Sequence, residues 1–133
     1  NNHQGSVEHG SNIINSLADV TKSLEVKAAI KFQFRDLPHF VHIDEQNEPK
    51  NKHVPRFLST MLSWEEFAEL NQTIKDKGLL SMCTPFDENS VDRIVEMDFD
   101  IIKVASCSAK DWPLLEKVAA SGLPVVASTG GLL

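Results

Sequence analysis

From Leu79 to Thr129 the sequence runs LLSMCTPFDENSVDRIVEMDFDIIKVASCSAKDWPLLEKVAASGLPVVAST, and its punctuation decides the fold. Three runs, at 79–84, 100–105 and 123–129, are apolar and short enough to be buried strands. They begin at 79, 100 and 123, intervals of 21 and 23 residues. Between the first two, Asp87 or Asn89 can cap a helix carrying Val91, Ile94 and Val95. Between the last two, Asp111 and Pro113 start a helix with Leu114, Leu115 and Val118 inside, and Gly122 closes it. Strands alternating with helices at this pitch predict right-handed βαβ units on a parallel sheet. No Gly-x-Gly-x-x-Gly follows a strand, which weakens a dinucleotide-binding fold. The even spacing suits a (β/α)8 TIM barrel. A whole barrel takes about 250 residues, so residues 1–133 are expected to form part of one catalytic domain, about four parallel βα units cut at both ends.

Upstream, Ser63-Trp64-Glu65-Glu66 is a capping box, with Leu62 and Phe67 placed as a hydrophobic staple. Phe67, Leu70 and Ile74 continue the buried face, and Gly78 stops the helix. Residues 27–33 read as another strand. Ser6 to Leu24 reads as an amphipathic helix with Ile13, Leu17, Val20 and Leu24 on its apolar face. Phe34 to Leu62 is polar, contains Pro38, Pro49 and Pro55, and is far longer than the usual connection of about 4–6 residues. It is expected to be a lid at the C-terminal end of the strands.

Composition removes several classes of function. Lys+Arg 13 against Asp+Glu 19 gives a net charge of -6, which argues against a nucleic-acid binder. No apolar run approaches the roughly 18 residues of a membrane span. No charged-then-apolar leader opens the chain, so a cytoplasmic protein is expected. Cys83 and Cys107 are too few for a disulfide framework and are expected as buried packing. Trp64 and Trp112 are expected as core anchors. His39 and His42 have a metal-like spacing but no partners. The acidic patches at Asp44–Glu48 and Glu65–Glu69 read as solvated surface.

In a parallel barrel, chemistry sits at the C-terminal ends of strands. Those places hold Lys31 and Gln33, Cys83 and Thr84, Lys103 and Ser106, and Ser128 and Thr129. Alternation puts Lys31 and Gln33 on one face of their strand and Ile30 and Phe32 on the other. Lys103 likewise stands opposite Ile102 and Val104. Two desolvated ammonium groups are costly without an anion to pair them. Hydroxyls of Thr84, Ser106 and Ser128 suit phosphate or carboxylate oxygens. The same residues read without a ligand would be snorkelling lysines.

In order, Asn2-His3-x-Gly5, Lys31-Phe32-Gln33, Thr84-Pro85-Phe86-Asp87, Ile102-Lys103-Val104-Ala105-Ser106, Pro113-Leu114 and Ser128-Thr129-Gly130-Gly131 resemble the N-terminal half of the sialic acid synthase family. The resemblance implies a (β/α)8 enzyme that condenses phosphoenolpyruvate with an N-acetylmannosamine-type amino sugar. It implies a divalent metal, Mn or Mg, with ligands outside this segment, and a homodimer when full length. Carried over by position, Lys31, Thr84, Lys103, Ser106 and Ser128 match phosphoenolpyruvate-binding positions, with Lys31 and Lys103 in the catalytic role. Gln33 matches a sugar contact, and His3, Gln4 and Ser108 fall at further substrate-binding positions. Many members carry an acidic residue where Gln4 stands, and Gly-Glu where this chain has Cys107-Ser108. Asp111 is the candidate replacement acid. Two alternatives stay open: a Schiff-base aldolase using Lys31 or Lys103, and a sugar-phosphate-binding regulatory module without turnover.

Overall fold

The computed structural model describes residues 2–44 and 50–130. Asn1, residues 45–48 of the acidic patch, Pro49 and Gly131 lie outside the described residues. The chain alternates helices with strands: α1 (Val7–Ser23), β1 (Ala29–Phe34), α2 (Leu37–Phe40), α3 (Val54–Ser59) and α4 (Trp64–Asp76) come first. β2 (Leu80–Pro85), α5 (Glu88–Glu96), β3 (Ile101–Val104), a 3-10 turn at Ser106–Ser108, α6 (Trp112–Ala120) and β4 (Val125–Ala127) complete it. The four strands form one sheet in the order β1-β2-β3-β4, and every pair is parallel. This is the arrangement expected of consecutive βα units.

Local chemistry sets the helix ends. The capping box closes reciprocally: Glu66 N–H donates to Ser63 Oγ at 3.2 Å and Ser63 N–H to Glu66 Oε2 at 2.7 Å. Asp87 Oδ1 accepts from Ser90 N–H at 2.7 Å, and Asp111 Oδ1 from Leu114 N–H at 3.3 Å. Gly78 (φ +70°) and Gly122 (φ +71°) follow α4 and α6 in the left-handed region, where a side chain would be strained.

The core lies on one face of the sheet. Phe32 and Phe34 pair in register with Cys83 and Pro85, and Cys83 with Ile102, so these side chains share that face. Phe34 is fully buried, with ring centroids of Phe67, Phe99 and Trp64 at 4.6, 5.5 and 5.2 Å. Leu70, Ile74, Val91, Ile94, Leu114 and Val118 seal the same layer from the helices.

Three helix-face expectations need correction. In α1 the buried row is Gly10, Ile14 and Ala18, whereas Leu17, Val20 and Leu24 are exposed. Small residues win there because they permit close approach: a Cβ on Gly10 would stand 3.0 Å from Leu70 Cδ2. Val95 is exposed because α5 turns Val91 and Ile94 inward. Trp112 is 69% exposed, since α6 buries Leu114 and Val118 while its first residue points outward. Trp64, by contrast, packs against the core.

The described part of the long segment after β1 carries two short helices. α2 and α3 each carry proline in the first turn, where its missing N–H costs nothing. Leu37, Val41 and Val54 form a small second core with Phe57 against it. Asp36 fastens the segment to the loop beyond β2: its N–H donates to Asp87 Oδ2 at 2.9 Å, and Asn89 Nδ2 donates to its Oδ2 at 2.7 Å. The segment therefore stands at the C-terminal end of the strands, the place of a lid.

Within this four-stranded sheet β1 and β4 have one strand neighbour each, and β4 is exposed along its length. Such edges template pairing with other chains. Residues 1–133 expressed alone should therefore associate or melt without cooperativity in sedimentation and thermal unfolding. A monodisperse, cooperatively melting monomer would contradict this.

Candidate functional site

The face opposite the core gathers the polar residues. Lys31 pairs in register with Met82, Gln33 with Thr84, and Lys103 with Val126. Strand alternation therefore brings Lys31, Gln33, Thr84, Lys103 and Ser128 to one face of the sheet. Lys103 Nζ donates to Ser128 Oγ at 2.5 Å and to the Val104 carbonyl at 3.0 Å. Thr84 is buried. The Lys31 pKa is lowered from that of an ordinary lysine: partial burial is the main cause, and the charges of Lys103 and Arg35 push the same way against an opposing pull from Cys83. Among the described residues neither Lys31 nor Lys103 makes an ion pair with a carboxylate.

The turn after β3 brings Ser106 near the loop after β4, within 3.9 Å of where a Gly130 Cβ would stand. Ser106 and Cys107 are exposed there, and Ser108 is buried. Cys107 thus departs from the expected packing role because it sits on a projecting turn rather than in a strand. Cys83 is fully buried, and burial pushes its thiol pKa well up, so it is inert packing. Asp111 is exposed, and its Oδ1 caps α6.

A cavity along β1 is lined by His3, Ile14, Lys31 and Gln33, so the first motif and the first lysine do meet. His3 is buried, its ring edge-on to Phe67 at 5.7 Å, and its Nδ1 accepts from Gly5 N–H at 3.1 Å. Burial lowers its pKa. Those contacts make it an anchor for the turn before α1. Gln4 is exposed at φ 52°. His39 Nδ1 lies 2.7 Å from Asp36 Oδ2. Burial opposes ionisation of Asp36, but hydrogen bonds from Asn89 and His39 outweigh it and lower its pKa. Among the described residues no group of three His, Cys, Asp or Glu could hold a metal ion.

Sequence reasoning missed Arg35. Its guanidinium carbon lies 3.8 Å from the Phe86 ring centroid, 4.5 Å from that of Phe57 and 5.9 Å from that of Phe40. Burial lowers its pKa, against the pull of Cys107 and Asp87. With Gln33, Phe57 and Trp64 it lines a cleft of about 190 Å³ at the end of β1. The signal was present: Lys31-x-Gln33-x-Arg35 continues one alternation past the strand end.

Comparison with known proteins places this arrangement. The sequence model of the NeuB family matches residues 19–132. The Chromobacterium violaceum protein described as spore coat polysaccharide biosynthesis protein E superposes with a TM-score of 0.95 at 42% identity, over 99% of this chain and 39% of that one. The N-acetylneuraminic acid synthetase of Leptospira borgpetersenii, solved with citrate, gives 0.78 at 30% identity, over 98% and 42%. The mouse N-acetylneuraminate-9-phosphate synthase is 26% identical over 97% of this chain and 36% of its own length. The chain thus spans little more than a third of the curated relatives it matches. Its four strands are part of a (β/α)8 TIM barrel. Among the described residues no helix is long and apolar enough to cross a membrane.

Proposed function

The chain belongs to the NeuB family, and from that premise we propose that the whole protein condenses phosphoenolpyruvate with an N-acetylmannosamine-type amino sugar to give a nine-carbon 2-keto acid and phosphate. The observation that carries this reading is the pair Lys31 and Lys103, on one sheet face beside the Thr84 and Ser128 hydroxyls and, among the described residues, in no ion pair with a carboxylate. Such a cradle suits a small molecule carrying both phosphate and carboxylate. The mouse and Leptospira proteins are named for sialic acid synthesis.

In the proposed reaction the methylene carbon of phosphoenolpyruvate attacks the open-chain aldehyde carbon of the sugar. The enol π pair becomes the new carbon–carbon bond, and the aldehyde oxygen takes up a proton. The carbon bearing the phosphate is left electron-poor and adds water, which loses a proton. Collapse of that adduct breaks the carbon–oxygen bond to phosphate and leaves the ketone. Lys31 and Lys103 hold the anionic groups and offset their charge, which is electrostatic preorganisation. Thr84, Ser106 and Ser128 donate to phosphate or carboxylate oxygens, and Gln33 contacts the sugar. A divalent metal, Mn or Mg, with ligands from outside residues 1–133, and a homodimer belong to the same proposal. The described residues do not form a metal site, so no step here runs through one.

The test uses the full-length protein with phosphoenolpyruvate labelled with oxygen-18 at the bridging oxygen. Label should appear in released phosphate, and release should require the sugar. Sugar-independent release, or label retained in the ketone, contradicts the reaction. Borohydride trapping of a lysine adduct would instead indicate the aldolase.

Affinity for phosphoenolpyruvate should also fall at alkaline pH. A protonated Lys31 favours the anion, so binding is strongest below its folded pKa and is lost as pH rises through it. Because that pKa is depressed from 10.5, the loss should come at lower pH than for an ordinary lysine. Lys31→Arg should move it upward. A pH profile unchanged in Lys31→Arg would remove Lys31 from the binding step.

A further inference from the structure

The buried apolar residues of α2 and α3 stand apart from the main core. Leu37, Val41 and Val54 form their own small cluster, with Phe57 against it. Burial in the main core therefore does not seat this unit on the sheet, and the links at its start take that role. Those links run side by side. Beyond the last register pair, Phe34 with Pro85, Phe86 N–H donates to the Phe34 carbonyl at 3.1 Å. The Arg35 guanidinium carbon lies 3.8 Å from the Phe86 ring centroid. Asp36 N–H donates to Asp87 Oδ2 at 2.9 Å, and Asn89 Nδ2 donates to Asp36 Oδ2 at 2.7 Å. The join between β1 and β2 is thus carried past both strand ends. Asp36 is the N-cap residue of α2, yet its side chain makes no capping bond there. A capping aspartate ordinarily accepts from the second or third helical N–H. This one is buried and turned across to the first turn of α5. The Asp36 carbonyl holds α2 instead, accepting from His39 and Phe40 N–H at 2.9 and 2.7 Å, while His39 Nδ1 lies 2.7 Å from the same Oδ2. Across the gap, Asp87 Oδ1 caps α5 through Ser90 N–H at 2.7 Å, and α5 buries Val91 and Ile94 in the main core. One carboxylate thus joins the small cluster to a helix fixed in the large one.

Resting on the reaction above for its kinetic half only, we propose that Asp36 is a positioning residue, a latch that holds α2 against α5 so that this wall of the cleft is preformed rather than closed by the incoming sugar. Leu37 and Pro38 line the cleft together with Gln33, so releasing the latch loosens a wall and removes no group assigned to substrate. Lys31, Thr84 and Lys103 stand on the strands themselves, and the phosphoenolpyruvate cradle does not depend on α2.

Amide hydrogen exchange on the full-length protein reads the latch directly. His39, Phe40 and Val41 N–H, which bond to the Asp36 and Leu37 carbonyls, should be protected in the wild type. Asp36→Ala should speed their exchange about tenfold to a hundredfold, the range of a hydrogen bond to a charged group, while amides of α4 and β2 keep their rates. Asn89→Ala removes the donor from an exposed position and should act in the same direction, more weakly because His39 remains. The double variant should exchange as Asp36→Ala does, since both changes break one link. Unprotected α2 amides in the wild type, unchanged exchange in either variant, or effects that add overturn the latch. Should Asp36→Ala unfold the whole protein, Asn89→Ala decides alone. Steady-state kinetics give the second readout. In the variants KM for N-acetylmannosamine should rise about tenfold, with kcat and KM for phosphoenolpyruvate held, a split that general loss of stability would not produce. Faster exchange with every kinetic constant unchanged, or with all of them altered together, overturns the positioning role. The expected exchange pattern in a wild type that makes no carbon–carbon product sinks the reaction and leaves the latch standing.

Discussion

Phe34→Ala in the full-length protein should lower the free energy of unfolding by about 3–5 kcal/mol, the range for truncating a buried aromatic. Phe34 has 0% exposure and lies in edge or tilted contact with Phe67, Phe99 and Trp64. Those partners come from α4 and from the connection between α5 and β3, so the sheet and its helix layer both line the void. Neighbours anchored on separate elements collapse poorly into a cavity, which pushes the cost toward the upper end. Phe34→Leu keeps most of the volume and should cost distinctly less. Phe34 also directly precedes Arg35, and its carbonyl accepts from Phe86 N–H at 3.1 Å, so the loop carrying the Phe86 ring is tied to the same backbone. Denaturant unfolding measures the effect. A loss below about 1 kcal/mol would mean that the sheet does not pack through this residue.

The alternation of strands and helices was legible in the sequence because it rests on strong local signals. The Ser63 box, the Asp87 and Asp111 caps and the stops at Gly78 and Gly122 each act within one helical turn, and each appears in the structure. The face of α1 was not legible in the same way. Counting large apolar residues selects Ile13, Leu17 and Val20, whereas the contact with Leu70 is set by the absence of a side chain at Gly10. That constraint belongs to a residue sixty positions away. α2 and α3 are hidden for another reason: each is too short to show a helical apolar period, and only proline in the first turn marks their starts. In the candidate site, Lys31, Gln33 and Lys103 followed from alternation alone. Arg35 did not, because what singles it out is three rings from three segments, and no local spacing brings those together.

Lys103→Met in the full-length protein should weaken phosphoenolpyruvate binding about tenfold to a hundredfold. The ammonium is assigned a hydrogen bond to an anion, and such bonds contribute roughly 1.5–3 kcal/mol. Methionine keeps much of the stem's bulk while removing the charge, so packing on the sheet face should survive. Without ligand the lysine gives up only its donations to Ser128 Oγ and the Val104 carbonyl. The carbonyl keeps another donor, since Ser128 N–H reaches it at 3.0 Å. No carboxylate among the described residues is left unpaired, and a partly desolvated charge is gone. Stability should therefore hold or rise slightly. Sugar affinity should move little, because the lysine is assigned to the other substrate. Lys103→Arg supplies the contrast: the charge remains, but a planar fork replaces a compact ammonium, so affinity should recover only in part. Calorimetric titration with phosphoenolpyruvate and thermal unfolding of the three proteins separate the outcomes. Unchanged phosphoenolpyruvate binding in Lys103→Met, or outright unfolding of that variant, would make Lys103 a structural residue and take away the centre of the anion cradle.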